Sequence, residues 1–137
     1  MLPIRIVSIE DEPDMIELIR LILSRRGYIV VGADGGREGL RTVAETLPDL
    51  VLLDLMMPDM DGWEVYARLK QNAVTQTIPV IIVTARAQFK ERLIAIRELG
   101  VDDYIIKPFG PAQLTDVVEN VLARIGLLGL PDRDKIG

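Results

Sequence analysis

Five short apolar runs limit what this chain can fold into. Ile4 to Ile9, Tyr28 to Val31, Leu50 to Asp54, Val80 to Thr84 and Tyr104 to Ile106 are each too short for a buried helix. Each is followed by a longer stretch whose apolar residues recur at helical spacing. Met15, Leu18, Ile19, Ile22 and Leu23 mark the first helix, which Gly27 stops. Its start has two readings: a capping box formed by Asp14 and Glu17, or Pro13 as the first helical residue. Leu40, Val43, Ala44 and Leu47 mark the second helix, opened by Gly35-Gly36 and closed before Pro48. Val65, Tyr66 and Leu69 mark the third. Leu93, Ile96 and Leu99 mark the fourth, ended by Gly100. The fifth carries the cleanest stripe: Leu114, Val117, Val118, Val121, Leu122 and Ile125.

The third run is apolar at nearly every position, which predicts a strand covered on both faces. Five strands, each followed by a helix, predict an α/β fold, (βα)5, with a parallel sheet and helices on both faces. Right-handed crossovers leave few topologies, and the flavodoxin-like strand order 2-1-3-4-5 is the one expected. The length of 137 residues fits one domain. We place it at residues 1–125, with 126–137, which lacks periodicity, as a C-terminal tail or the start of a linker.

Composition narrows the chemistry. The chain has no histidine and no cysteine, which removes imidazole acid–base catalysis, histidine-ligated zinc, thiolate metal sites and disulfides. Net charge is −5 and the Lys and Arg residues are scattered, so no direct nucleic-acid binding is expected. No apolar window reaches the length of a membrane span and no signal-peptide pattern opens the chain, so the default location is cytoplasmic.

In an open α/β sheet, ligands bind beyond the carboxyl ends of the strands. The first strand ends in Glu10-Asp11, the third in Asp54, the fourth in Thr84 and the fifth in Lys107-Pro108. The expected strand order makes these four strands consecutive neighbours. It thus gathers three acids, a hydroxyl and an ammonium at one rim. Two like charges ~4 Å apart cost roughly 4 kcal/mol at an effective dielectric near 20, so the acids either hold protons or surround a cation. Oxygen ligands without His or Cys favour Mg²⁺ or a similar hard ion such as Mn²⁺. With a cation present, Asp54 can act as a nucleophile toward phosphorus. Lys107, Thr84 and backbone amides would then meet the charge on the phosphoryl oxygens.

At these residues the chain resembles the receiver domain of two-component response regulators. The resemblance runs from about Ile4 to Ile125. It rests on Glu10-Asp11, the segment DLMMPDMDGW from Asp54 to Trp63, VTA from Val83 to Ala85, and YIIKPF from Tyr104 to Phe109. It implies a phosphoacceptor regulatory domain rather than an enzyme, with only self-catalysed phosphotransfer and slow autodephosphorylation. Asp54 would take a phosphoryl group from a sensor histidine kinase or phosphotransfer protein. Asp11 would bind Mg²⁺ directly and Glu10 mainly through water, with Asp54 and the backbone carbonyl of Met56 completing the protein ligands. Thr84 and Lys107 would contact the phosphoryl group. Thr84 and Tyr104 would form a switch pair that reshapes the face made by the fourth helix, fifth strand and fifth helix for a downstream protein target. Met56 and Arg86 would tune the phosphoryl lifetime, and a cis Lys107–Pro108 bond would aim the lysine. The Glu-Asp pair departs mildly from the commoner Asp-Asp.

Blander readings apply to single residues. Glu12 reads as a solvated acid at a helix start. Pro58 and Gly62 read as turn formers, and Trp63 and Phe109 as packing residues. Three rival functions fit less well. A phosphohydrolase with an Asp nucleophile needs a second acid two residues on, where Met56 stands. A flavin site needs a phosphate loop where Glu10-Asp-Glu-Pro stands. A phosphorylation-independent pseudo-receiver would not need the full residue set. Only a dozen residues follow Ile125, which leaves open a stand-alone regulator or a piece of a longer one. A homodimer through the fourth-helix to fifth-helix face is also open, with Asp116, Glu119 and Arg124 offered for pairing.

Overall fold

The computed structural model describes residues 2–128. The elements run β1 (Arg5–Ile9), α1 (Pro13–Ser24), β2 (Ile29–Ala33), α2 (Gly36–Thr46), β3 (Leu50–Leu53), α3 (Gly62–Gln71), β4 (Val80–Thr84), α4 (Phe89–Arg97), β5 (Asp103–Ile106) and α5 (Pro111–Arg124). All strand pairs are parallel, in the order β2-β1-β3-β4-β5. The expected α/β fold and strand order are therefore what the chain adopts. The tail expected at 126–137 lies mostly outside the described residues.

Alternation along the central strands divides the core in two. Ile6, Leu50, Leu52, Ile81, Val83 and Ile105 face α1 and α5, where Ile19, Leu23, Leu114, Val118 and Leu122 cover them. Val7, Ile9, Val51, Leu53, Val80 and Ile82 face the opposite layer, where Val43 of α2, Val65 and Leu69 of α3 and Ala95 of α4 cover them. Every residue of β3 is buried, as expected for a central parallel strand.

Three local expectations are corrected. Helix α1 starts from Glu12 as N-cap, with Pro13 in its first turn, so Asp14 lies inside the helix and forms no capping box. Strand β2 lies later than its apolar run suggested, because pairing with β1 continues through Gly32 and Ala33, opposite Ser8 and Ile9. In α4 the Leu93, Ile96 and Leu99 stripe is not the buried face. Ala95 is the helix's buried residue, while Ile96 and Leu99 are 39% and 48% exposed. The helix meets the core through this one small side chain. It stops at Arg97, and Leu99 lends its carbonyl to the Tyr66 hydroxyl at 2.7 Å.

Candidate functional site

The last rungs of the parallel ladder place the polar residues. The Asp54 amide donates to the Ile9 carbonyl at 3.1 Å, the Glu10 amide to the Ala33 carbonyl at 3.0 Å and the Lys107 amide to the Thr84 carbonyl at 2.9 Å. Each polar side chain thus begins where an apolar strand ends, at one rim of the sheet. The peptide bond between Lys107 and Pro108 is cis.

Asp54 and Glu10 are both buried, at 3% and 2% exposure. Lys107 Nζ lies between them, 2.5 Å from Glu10 Oε1 and 3.2 Å from Asp54 Oδ2. The Met56 amide donates to Asp54 Oδ1 at 3.1 Å, and the Glu12 amide to Glu10 Oε2 at 3.2 Å. Burial drives the Glu10 carboxyl up to about 7, and the charge of Asp54 pushes the same way against the Lys107 hydrogen bond. Burial opposes the charge on Lys107, but its bond to Glu10 and the field of Asp54 outweigh that and raise its pKa. One ammonium serves two buried carboxylates, so a further positive charge would be stabilised here.

That charge has a fitting donor set. Carboxylate oxygens of Glu10, Asp11 and Glu12 lie within 4.8 Å of one another. All are hard oxygen donors, which suits Mg²⁺ or Mn²⁺. Glu12, set aside from the sequence as a solvated acid, is exposed but belongs to this group.

The remaining site residues surround the loop between β4 and α4. Thr84 is fully buried, and its hydroxyl accepts a long hydrogen bond, 3.4 Å, from the Arg86 amide. Tyr104 is buried with its ring inward, and its hydroxyl donates to the Arg86 carbonyl at 2.9 Å. Burial raises that hydroxyl to about 12, so it stays a donor at neutral pH. The Arg86 guanidinium is held by carboxylates on two other segments, Glu91 at 3.2 Å and Asp61 at 3.7 Å. Met56 presents an exposed side chain beside Asp54.

Sequence reasoning missed two partners of this network. Glu91 accepts from both Arg86 and the Trp63 indole at 3.2 Å, joining α3 to α4. Asp59 accepts from the Gly36 and Arg37 amides at 3.0 and 3.1 Å, joining the β3–α3 loop to α2. Nothing in local sequence signals the Trp63–Glu91 bond or the Asp59 bonds, since each spans more than twenty residues. Two charges offered for dimer pairing are engaged within the chain. Glu119 accepts from Arg26 at 2.9 Å and from the Tyr28 hydroxyl at 2.6 Å, and Arg124 donates to the Asp102 carbonyl at 3.1 Å.

The family profile described as "Response regulator receiver domain" matches residues 6–119. The chain is 35% identical over 128 residues to the phosphate regulon transcriptional regulatory protein PhoB of Klebsiella pneumoniae, covering 93% of this chain and 56% of that protein. Among solved structures, the N-terminal domain of a response regulator receiver protein from Methanoculleus marisnigri is 39% identical at a TM-score of 0.70, covering 88% of this chain and 97% of that one. The chemotaxis protein CheY4 of Vibrio cholerae, 22% identical, shares the fold at a TM-score of 0.81, covering 88% of this chain and all of that one. The chain spans about half the length of the curated relatives it matches. Among the described residues, no helix is long and apolar enough to cross a membrane.

Proposed function

The chain belongs to the response regulator receiver domain family of two-component systems, and from that premise we propose that it is a phosphorylation switch with Asp54 as acceptor. The observation that carries the reading is the setting of Asp54. It is a buried carboxylate at the end of a central strand, with Lys107 Nζ 3.2 Å from one oxygen and the Met56 amide 3.1 Å from the other.

In the proposed step an Asp54 oxygen attacks phosphorus of a phosphohistidine on a kinase or phosphotransfer protein. The new P–O bond forms as the P–N bond breaks, and the imidazole leaves with the electron pair and takes up a proton. No general base is needed, because an ionised carboxylate is already the nucleophile. Lys107 stands ready to meet charge on the phosphoryl oxygens, and the Thr84 hydroxyl lies at the neighbouring strand end. Asp11, Asp54 and the Met56 carbonyl, with Glu10 through water, would hold Mg²⁺ or Mn²⁺, which when bound supplies positive charge against the acids and the incoming group.

Adduct formation would draw Thr84 toward the phosphoryl group and shift the population at Tyr104. The readout we assign to the face of α4, β5 and α5. Ile96 on α4 is 39% exposed there, which suits a protein partner or a second copy of the chain. The relative named as a transcriptional regulator favours an output that controls transcription, carried by a partner or a further domain rather than by this chain's own contact with nucleic acid.

The test is incubation with Mg²⁺ and acetyl phosphate, followed by intact mass. The expected result is a gain of one phosphoryl group, labile in base, absent in Asp54→Asn. No gain in the wild type ends the reading.

A further inference from the structure

The Gly35-Gly36 turn has no part in the acceptor chemistry, yet it faces the loop that carries Met56. Gly35 is the N-cap of α2 and has no side chain to satisfy the helix's first amides. Asp59 does so from across the fold, through Oδ1 to Gly36 N at 3.0 Å and Oδ2 to Arg37 N at 3.1 Å. These bonds hold the Asp59 carboxyl below its usual range. The approach depends on glycine. Gly35 has φ +99°, and a Cβ there would lie 2.8 Å from Asp59 Oδ1.

The same loop is also closed at its other end by the Gly62 amide on the Leu55 carbonyl at 3.0 Å. Between the two anchors sits Met56, whose amide donates to Asp54 Oδ1 at 3.1 Å. A carboxylate at the positive end of a helix forms charge-assisted bonds, stronger than a neutral loop contact.

We propose that Asp59 is a positioning residue for the acceptor site: by gripping the α2 N-terminus it fixes the β3–α3 loop, so that the backbone groups of Met56 stay beside Asp54. This rests on the acceptor reading above, because it gives the Met56 backbone a task at that site. A mere cap of α2 would stabilise the helix without governing Met56.

The full chain is compared as wild type, Asp59→Ala, Asp59→Asn and Val43→Ala. The last loosens the buried packing of α2 while leaving the Asp59 bonds in place. Amide hydrogen exchange is followed without metal, and Mg²⁺ is then titrated by the fluorescence of Trp63, the only tryptophan. Asp59→Ala is expected to speed exchange of the Met56 amide about tenfold and to weaken Mg²⁺ binding several-fold. Asp59→Asn, which keeps one acceptor oxygen and is the safer variant for folding, falls between it and wild type. Val43→Ala leaves both readings unchanged. Met56 exchange at the wild-type rate in both Asp59 variants overturns the proposal, as does equal acceleration by Val43→Ala. Failure of the acceptor reading shows separately, as a wild type that gains no phosphoryl group while the Asp59 variants still alter Met56 exchange.

Discussion

Thr84 and Tyr104 grip the same residue from opposite sides. The Arg86 amide donates to the Thr84 hydroxyl at 3.4 Å, and the Arg86 carbonyl accepts from the Tyr104 hydroxyl at 2.9 Å. The backbone between β4 and α4 is thereby tied to two neighbouring strands. A pull on Thr84 toward Asp54 would break the longer of these bonds first and leave the Tyr104 hydroxyl as the remaining tie of the two on the Arg86 backbone.

Tyr104→Phe therefore removes the stronger tie while keeping the buried ring. It is expected to cost about 1 kcal/mol of stability, the net worth of one hydrogen bond whose carbonyl can turn to water. Amide exchange should accelerate around Arg86 and leave β1 and β3 unaffected. Unchanged exchange around Arg86 would show that Tyr104 does not restrain this loop.

Glu10 makes the metal-free protein sensitive to pH. Its carboxyl rises from 4.5 to about 7 on folding, chiefly because it is buried. Across that interval the native chain binds more protons than the unfolded one, so stability falls as pH rises from 4.5 to about 7. The fall should be on the order of 3 kcal/mol, from about 1.4 kcal/mol per pH unit. Urea midpoints in the presence of a chelator should show this slope, Glu10→Gln should flatten it, and Mg²⁺, which favours the ionised carboxylates, should oppose it over the same interval. A wild type with a flat profile would contradict the burial argument.

Met56, whose amide donates to Asp54, carries an exposed, bulky side chain, 53% accessible. Its substitution should scarcely alter folding, within about 0.5 kcal/mol. We expect Met56→Asn to shorten the aspartyl-phosphate half-life several-fold, because a small amide can admit and orient water where the thioether excludes it. Equal half-lives for the two proteins would remove the idea.

Gly62 is more than a turn former. A Cβ there would come within 2.5 Å of both the Asp54 carbonyl oxygen and Leu55 Cα. Both are backbone atoms and cannot swing aside, so Gly62→Ala must displace the loop beside the acceptor. The expected loss is about 1–3 kcal/mol, the usual cost of overpacking. An unchanged denaturation midpoint would mean that the loop has slack the structure does not show.

The fold was legible because it is written in local periods. Runs such as Leu50 to Leu53 and stripes such as Leu114, Val118, Val121 and Leu122 record which faces must leave water, and a strand-then-helix alternation has few right-handed ways to close. The rim of Glu10, Asp11, Asp54, Thr84 and Lys107 was legible for the same reason, since each follows a strand whose place in the sheet was implied. The fourth helix misled because its stripe of Leu93, Ile96 and Leu99 mimics a buried face, whereas the tertiary packing accepts only Ala95.

Sequence alone thus determined the layers, the strand order and the identity of the rim, all consequences of which side chains water rejects and how far apart they fall along the chain. Only the folded structure decided the partners. Lys107 stands 2.5 Å from Glu10, Tyr104 reaches Arg86, and Asp59 closes the first turn of α2. Hydrogen bonds and ion pairs depend on distance and direction in space, and residues far apart in the chain acquire these only when the sheet brings their elements together.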